Sequence, residues 1–187
     1  MSEESEVVSP GPEPARREED ASVAEPERPP ERQYCLFRAG RQRFCLPVLD
    51  IEEVVDWPAV TPIPLAPAFL TGIFNLRGAV VPIVDIGFGL GRRPDLKPRQ
   101  VVVTKQAGED GRSGVLLGLA ADEIFGTQAT SEPLLEGEAP ADAPHCCGLL
   151  RYAEETEVGG TNIARQDRLA WALDLKRLRE ALPIPAI

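Results

Sequence analysis

From Gln33 onward, glycine and proline cut the chain into apolar runs too short for helices of ordinary length, and this punctuation constrains the fold most. The 187 residues include 19 prolines and 16 glycines. Proline removes a backbone donor and fixes φ, while glycine supplies turn angles that other residues resist. Short apolar or alternating runs between such residues suit small antiparallel strands. Gln33–Ala39 and Gln42–Pro47 flank Gly40-Arg41 and predict a hairpin, with Pro47 ending its second strand or lying at an edge. Gly72–Leu76 and Val80–Asp85, joined by Arg77-Gly78-Ala79, predict a second, in which Pro82 implies an edge or a bulge. Gln100–Lys105 and Val115–Ala121 form a third pair around the polar loop Gln106–Gly114. Between the first two hairpins, Val48–Val55 is compatible with one or two helical turns or with a strand. Trp57–Pro67, holding four prolines, must be an extended loop.

Glu132–Pro144 reads as irregular, with a strand near Cys147–Tyr152, another near Arg168–Leu173 and a glycine-rich loop between. At the end Asp174 can cap a helix whose Leu175, Leu178 and Leu182 share a face, stopped by Pro183. No repeat of the length that marks a solenoid is apparent.

Residues 1–31 differ in kind, with ten acidic residues, three arginines and six prolines. So little apolar surface cannot offset the entropy of ordering, so this stretch is expected to be a disordered leader. It carries −7 of the net charge of −10, leaving −3 for residues 32–187. That balance argues against phosphate backbones and anionic headgroups, so no nucleic acid is expected as partner and no direct membrane insertion. No apolar run is long enough to span a bilayer, and the N-terminus is acidic where an export signal would be basic and then apolar, which points to the cytoplasm. Cys35, Cys45, Cys146 and Cys147 are then expected to be thiols.

The most informative stretch runs from Ala66 to Asp85. It contains Pro67, Phe69 and Gly72, then Asn75-Leu76-Arg77-Gly78, then Val80-Val81-Pro82-Ile83-Val84-Asp85. This resembles the signature of the CheW family, and the resemblance extends over roughly residues 33–182 through Tyr34–Gly40, Phe44–Val55, Val101–Val103, Leu116–Asp122, Gly148-Leu149 and Leu169–Leu182. It implies a mainly β domain over residues 32–183: two small five-stranded SH3-like β-barrels packed together, with a short C-terminal helix. It also implies a non-catalytic adaptor, without metal or cofactor, that couples the cytoplasmic hairpin tip of chemoreceptors to the regulatory domain of the CheA histidine kinase, in arrays at the inner membrane. Carried over by position, Ile51, Glu53, Asn75 and Arg77 would face the receptor, Gly72 and Gly78 would shape the motif's turns, and Leu116, Leu117 and Leu119 would face the kinase.

Three features depart from the family pattern: the long polar loop Gln106–Gly114, His145-Cys146-Cys147 before Gly148, and an apparent insertion at Ala153–Arg165. They leave room for an adaptor or localisation factor of a specialised pathway, such as pilus control or polar placement of arrays. An enzyme or small-ligand barrel is the alternative from another class, but no nucleophile and base stand in a usable pattern. His145, Cys146 and Cys147 lack the paired spacing of a structural zinc site, so no metal is expected. Gly87–Gly91 matches neither the dinucleotide nor the Walker pattern and reads as a turn. The adjacent carboxylates Glu52-Glu53 and Asp122-Glu123 point to opposite faces of a strand and read as solvated charge.

Overall fold

A computed structural model describes residues 30–88, 97–105, 116–139, 141, 143–158 and 162–181. The leader before Pro30, the loop Gln106–Gly114, residues 89–91, Leu182 and Pro183 lie outside them. The strands are β1 (Arg32–Ala39), β2 (Gln42–Pro47), β3 (Ile51–Asp56), β4 (Leu70–Leu76), β5 (Ala79–Val84), β6 (Gln100–Thr104), β7 (Leu117–Ala121), β8 (Glu123–Thr130), β9 (Cys146–Val158) and β10 (Asn162–Leu173). They are followed by the helix α1 (Leu175–Ala181). The ambiguous segment after Pro47 divides, Val48–Asp50 forming one 3₁₀ turn before β3 begins.

Two five-stranded sheets result, ordered β8-β1-β2-β10-β9 and β3-β6-β7-β5-β4. Both read antiparallel, antiparallel, parallel, antiparallel across the sheet. Aligned on that pattern, β1 and β2 correspond to β6 and β7, while β8, β9 and β10 correspond to β3, β4 and β5. The chain is therefore two repeats of a hairpin followed by three strands, and each sheet takes the hairpin of one repeat and the three strands of the other. Each sheet also closes on itself in the same way. The segment after its first edge strand bridges the opposite edge, Thr61 to Ile73 on β4 and Leu135 to Leu149 on β9. Closure removes most of the unpaired edge that an open sheet would expose and makes each sheet a barrel.

Three cores follow. Tyr34, Leu36, Cys45 and Leu150 fill the first barrel, and Phe74, Val81, Ile83 and Val101 fill the second. Phe37, Phe44, Leu46, Val102, Leu119 and Leu178 lie between them. Strands β1, β2, β6 and β7 are thus covered on both faces, one by a barrel interior and one by the other barrel. This is why they read in sequence as apolar runs instead of alternating ones.

Three expectations change and one strand is added. Strand β5 lies between β7 and β4, so Pro82 is not at an edge; its ladder with β7 holds only Ile83 and Val84, and the register shift lies in β4, between Leu70 and Gly72. Strand β8 was not apparent in the sequence, because its half-exposed residues lack alternation. The loop expected between Tyr152 and Arg168 is strand over residues 153–158 and 162–167, with β9 and β10 paired from Val158↔Asn162 down to Cys146↔Leu173. Asp122 is buried, where solvated charge was expected. Its Oδ2 accepts the Gly40 N–H at 2.7 Å and lies 3.4 Å from Arg38 Nη1, pinning the β1–β2 turn to the corner between β7 and β8.

Candidate functional site

Leu76 pairs with Ala79, so Arg77 and Gly78 alone form the turn between β4 and β5. Both have positive φ, +51° and +92°, as a two-residue turn matching the twist of its strands requires. Glycine meets that condition at no cost, but Arg77 adopts it against steric resistance of about 1 kcal/mol. Asn75 helps to hold the turn, its Oδ1 accepting the Gly78 N–H at 2.9 Å. The Arg77 side chain stands out from the tip with 76% of its surface exposed.

Arg77 is nevertheless oriented. Its Nη2 donates to Glu53 Oε2 at 2.8 Å. Glu53 lies on β3 and Arg77 at the end of β4, the two opposite edges of the second sheet, so their ion pair spans the closure of the barrel. A register shift between Ile51 and Glu53 marks a bulge at Glu52, a device that re-aims the side chains around it. Glu53 is mostly covered, and its Oε1 is shielded from solvent with no hydrogen-bond partner among the described residues. The pair therefore presents a charged fork with spare donors, while the second Glu53 oxygen stays covered beneath it. Val80, opposite Asn75, adds exposed apolar surface to the same hairpin. An oriented guanidinium beside apolar surface suits recognition of carboxylate and amide groups on another protein.

Glu53, Asn75 and Arg77 thus converge. Ile51, two residues before Glu53, is half-buried and packs on the core between the barrels. Gly78 has open space around it, so its role is the backbone angle. Gly72 has a different role: at φ +150°, a Cβ there would lie 2.5 Å from Thr61 O, so it admits the bridging segment that closes the barrel. Leu117 and Leu119 face the core between the barrels, which removes both side chains from any docking surface. Leu116 is half-buried against the second barrel's interior.

Sequence reasoning missed a second polar cluster on the first barrel. Arg43 on β2 lies over the Phe125 ring of β8 at 4.5 Å and donates to Tyr152 Oη and, at 2.8 Å, to Glu154 Oε1 on β9. Arg168 on β10 holds the other carboxylate oxygen at 2.9 Å. These donors, Arg43 foremost, hold the Glu154 carboxyl below its ordinary pKa. Only the barrel brings these strands together, and no local spacing signals it. His145 and Cys146 are buried and Cys147 exposed. Among the described residues no group of three or more His, Cys, Asp or Glu side chains is placed to hold a metal, and no helix is long and apolar enough to cross a membrane.

The CheW-like domain family matches residues 33–182. A probable chemotaxis protein CheW of Rhizobium etli is 31% identical over 121 residues, covering 64% of this chain and 77% of that protein. The chemotaxis protein CheW of Rhizobium meliloti is 41% identical over 94 residues, 50% of this chain and 57% of that one. The protein PilI of Pseudomonas aeruginosa is 35% identical over 94 residues, 49% of each. Among solved structures, the scaffolding protein CheW of Thermoanaerobacter tengcongensis shares the fold, with a TM-score of 0.59 at 20% identity over 81% of this chain and 89% of that one. The matched span takes in both barrels and the Asn75–Gly78 hairpin with its Glu53 partner, and this chain belongs to the CheW-like domain family.

Proposed function

We propose that this protein is a non-catalytic adaptor that couples methyl-accepting chemoreceptors to the CheA histidine kinase in cytoplasmic signalling arrays. In this reading the hairpin tip of a receptor docks on the surface formed by Glu53, Asn75 and Arg77, with Ile51 at its margin. The regulatory domain of CheA docks elsewhere, near Leu116. The observation that carries the reading is the Arg77–Glu53 pair: an exposed guanidinium on a strained turn, oriented across the barrel closure and retaining free donors. Strain of this kind persists where surrounding structure enforces it and often marks a functional position.

Calorimetry of wild type and Arg77→Ala against a receptor cytoplasmic fragment and against CheA tests it. Removing an exposed ion pair should change stability by no more than about 1 kcal/mol. Receptor affinity should fall by about 2 kcal/mol or more, as for an interface anchor, while CheA binding is retained. Unchanged receptor affinity would remove Arg77 from the site. A scaffold or localisation role in a specialised chemosensory pathway is the second reading, motivated by the segment 153–165, which reads in the sequence as an insertion and whose described residues extend the β9–β10 ladder. Pull-downs with receptors and kinases of each pathway in the same cell separate the two.

A further inference from the structure

Strands β9 and β10 pair with each other well beyond the point where the barrel ends. Their register runs out to Val158↔Asn162, whereas the ladder between β10 and β2 holds only Trp171 and Ala172. The described bridge on the other side of β9 is at Leu149. Among the described residues, the ribbon beyond these points therefore has two unpaired edges. On β10, residues 165–169 are exposed in unbroken succession, so neither face of the strand is covered there. An isolated two-stranded ribbon is marginal in water, and its free N–H and C=O groups are a template for another strand.

The base of this ribbon is held firmly. Arg43 ties β2 to Tyr152 and Glu154 on β9 while lying over Phe125 of β8, and Arg168 braces Glu154 from β10. An arm so anchored is preorganised for contact along its length.

The two edges differ in what they can accept. Strand β9 carries Glu154, Glu155 and Glu157 in sequence, so a second copy laid antiparallel about Thr156 would set glutamate at the register position of glutamate. Strand β10 reads Ala164-Arg165-Gln166-Asp167-Arg168. Laid antiparallel on its own copy about Gln166, it sets Arg165 opposite Asp167, and by symmetry Asp167 opposite Arg165. It also sets Leu169, which is 50% exposed, at the register position of Ile163. Opposite charges directly across an antiparallel pair stabilise it and like charges destabilise it, and a two-fold contact makes each favourable pair twice. We propose that the β10 edge is a self-association surface, on which residues 164–168 of two copies pair antiparallel about Gln166 and join two ribbons into one four-stranded sheet.

So short a paired stretch makes a weak, concentration-dependent dimer. Sedimentation velocity of the full chain from about 5 to 300 μM should show the mass rising from 20.3 kDa toward twice that value. Arg165→Asp sets aspartate against Asp167, and Asp167→Arg sets arginine against Arg165, so each variant alone should dimerise at least tenfold more weakly. The double variant, with the charges exchanged, should recover the association. An equimolar mixture of the two single variants should form a mixed dimer, because each then meets its opposite charge. In wild type, amide exchange at residues 164–168 should slow as concentration rises, a readout that needs no variant. A wild type monomeric throughout, a dimer indifferent to the single changes, or single variants that melt like wild type yet do not associate when mixed would each overturn the proposal.

Discussion

Two glycines in one hairpin do opposite kinds of work. Gly78 is surrounded by open space, so a methyl group there meets only the resistance of a φ of +92°. Gly72 has a φ of +150° and the Thr61 carbonyl oxygen 2.5 Å from where a Cβ would stand. Gly78→Ala should therefore cost about 1 kcal/mol. Gly72→Ala, which must push apart the backbone that closes the barrel, should cost about 2–3 kcal/mol or more. Urea unfolding of both variants would show the ordering, and equal losses would mean that closure at Thr61 tolerates displacement. The difference marks the limit of reading residues locally. A turn at Gly78 follows from its neighbours in the chain, whereas the need for glycine at position 72 comes from a bridging segment eleven residues away.

Among the elements, α1 shows how a short helix is held. Asp174 Oδ1 accepts the backbone N–H groups of Lys176 and Arg177 at 2.9 and 3.1 Å, the cap expected from sequence. Seven residues do not make a stable helix in isolation, so its stability must come from packing, chiefly of Leu178, fully buried in the core between the barrels, with Leu175 packed against the same core. Leu178→Ala should cost about 2–5 kcal/mol and detach the helix; a loss below about 1 kcal/mol would show that it rests on the barrels without supporting them. The hairpins β1–β2 and β4–β5 and this helix were legible because glycine, proline and the cap residue act within a few positions. Strand β8 and the outer parts of β9 and β10 were not, because their sequences carry no apolar alternation and they take their form from ladder partners.

At the scale of the whole molecule, exchange of hairpins between the two repeats makes the barrels interdependent, since each contains strands from both halves of the chain. His145 sits next to this shared core. It is buried, its Nε2 has no hydrogen-bond partner among the described residues, and its carbonyl oxygen accepts the Asp174 N–H at 3.0 Å, just before α1. Burial lowers its pKa from the usual 6.5. The unfolded chain therefore binds this proton more readily than the folded one, so the stabilising effect of a neutral His145 is complete above pH 6.5 and declines as pH falls below it. One such group can contribute a slope of at most about 1.4 kcal/mol per pH unit. Asp50 is exposed but partly desolvated, which raises its pKa, so it contributes in the opposite direction, losing stability as pH rises from its ordinary value of 3.8. Urea unfolding at pH 7.5 and 5.5 should show lower stability at 5.5, with the difference reduced in His145→Leu. An unchanged difference would assign the effect to other groups.

The sequence by itself determined a β-rich chain of short strands, the Arg77-Gly78 turn, the capped helix and the family, because each rests on residues adjacent in the chain or on one continuous motif. Only the tertiary structure decided that Arg77 meets Glu53, that Asp122 is a buried clamp and that Leu117 and Leu119 are core. It also decided that Gly72 must lack a side chain and that residues 153–158 pair with 162–167 as a ribbon. The physical reason is common to all of these. Closing two barrels from interleaved strands sets the neighbours of each side chain by sheet order and register, and neither is written in the spacing of residues along the chain.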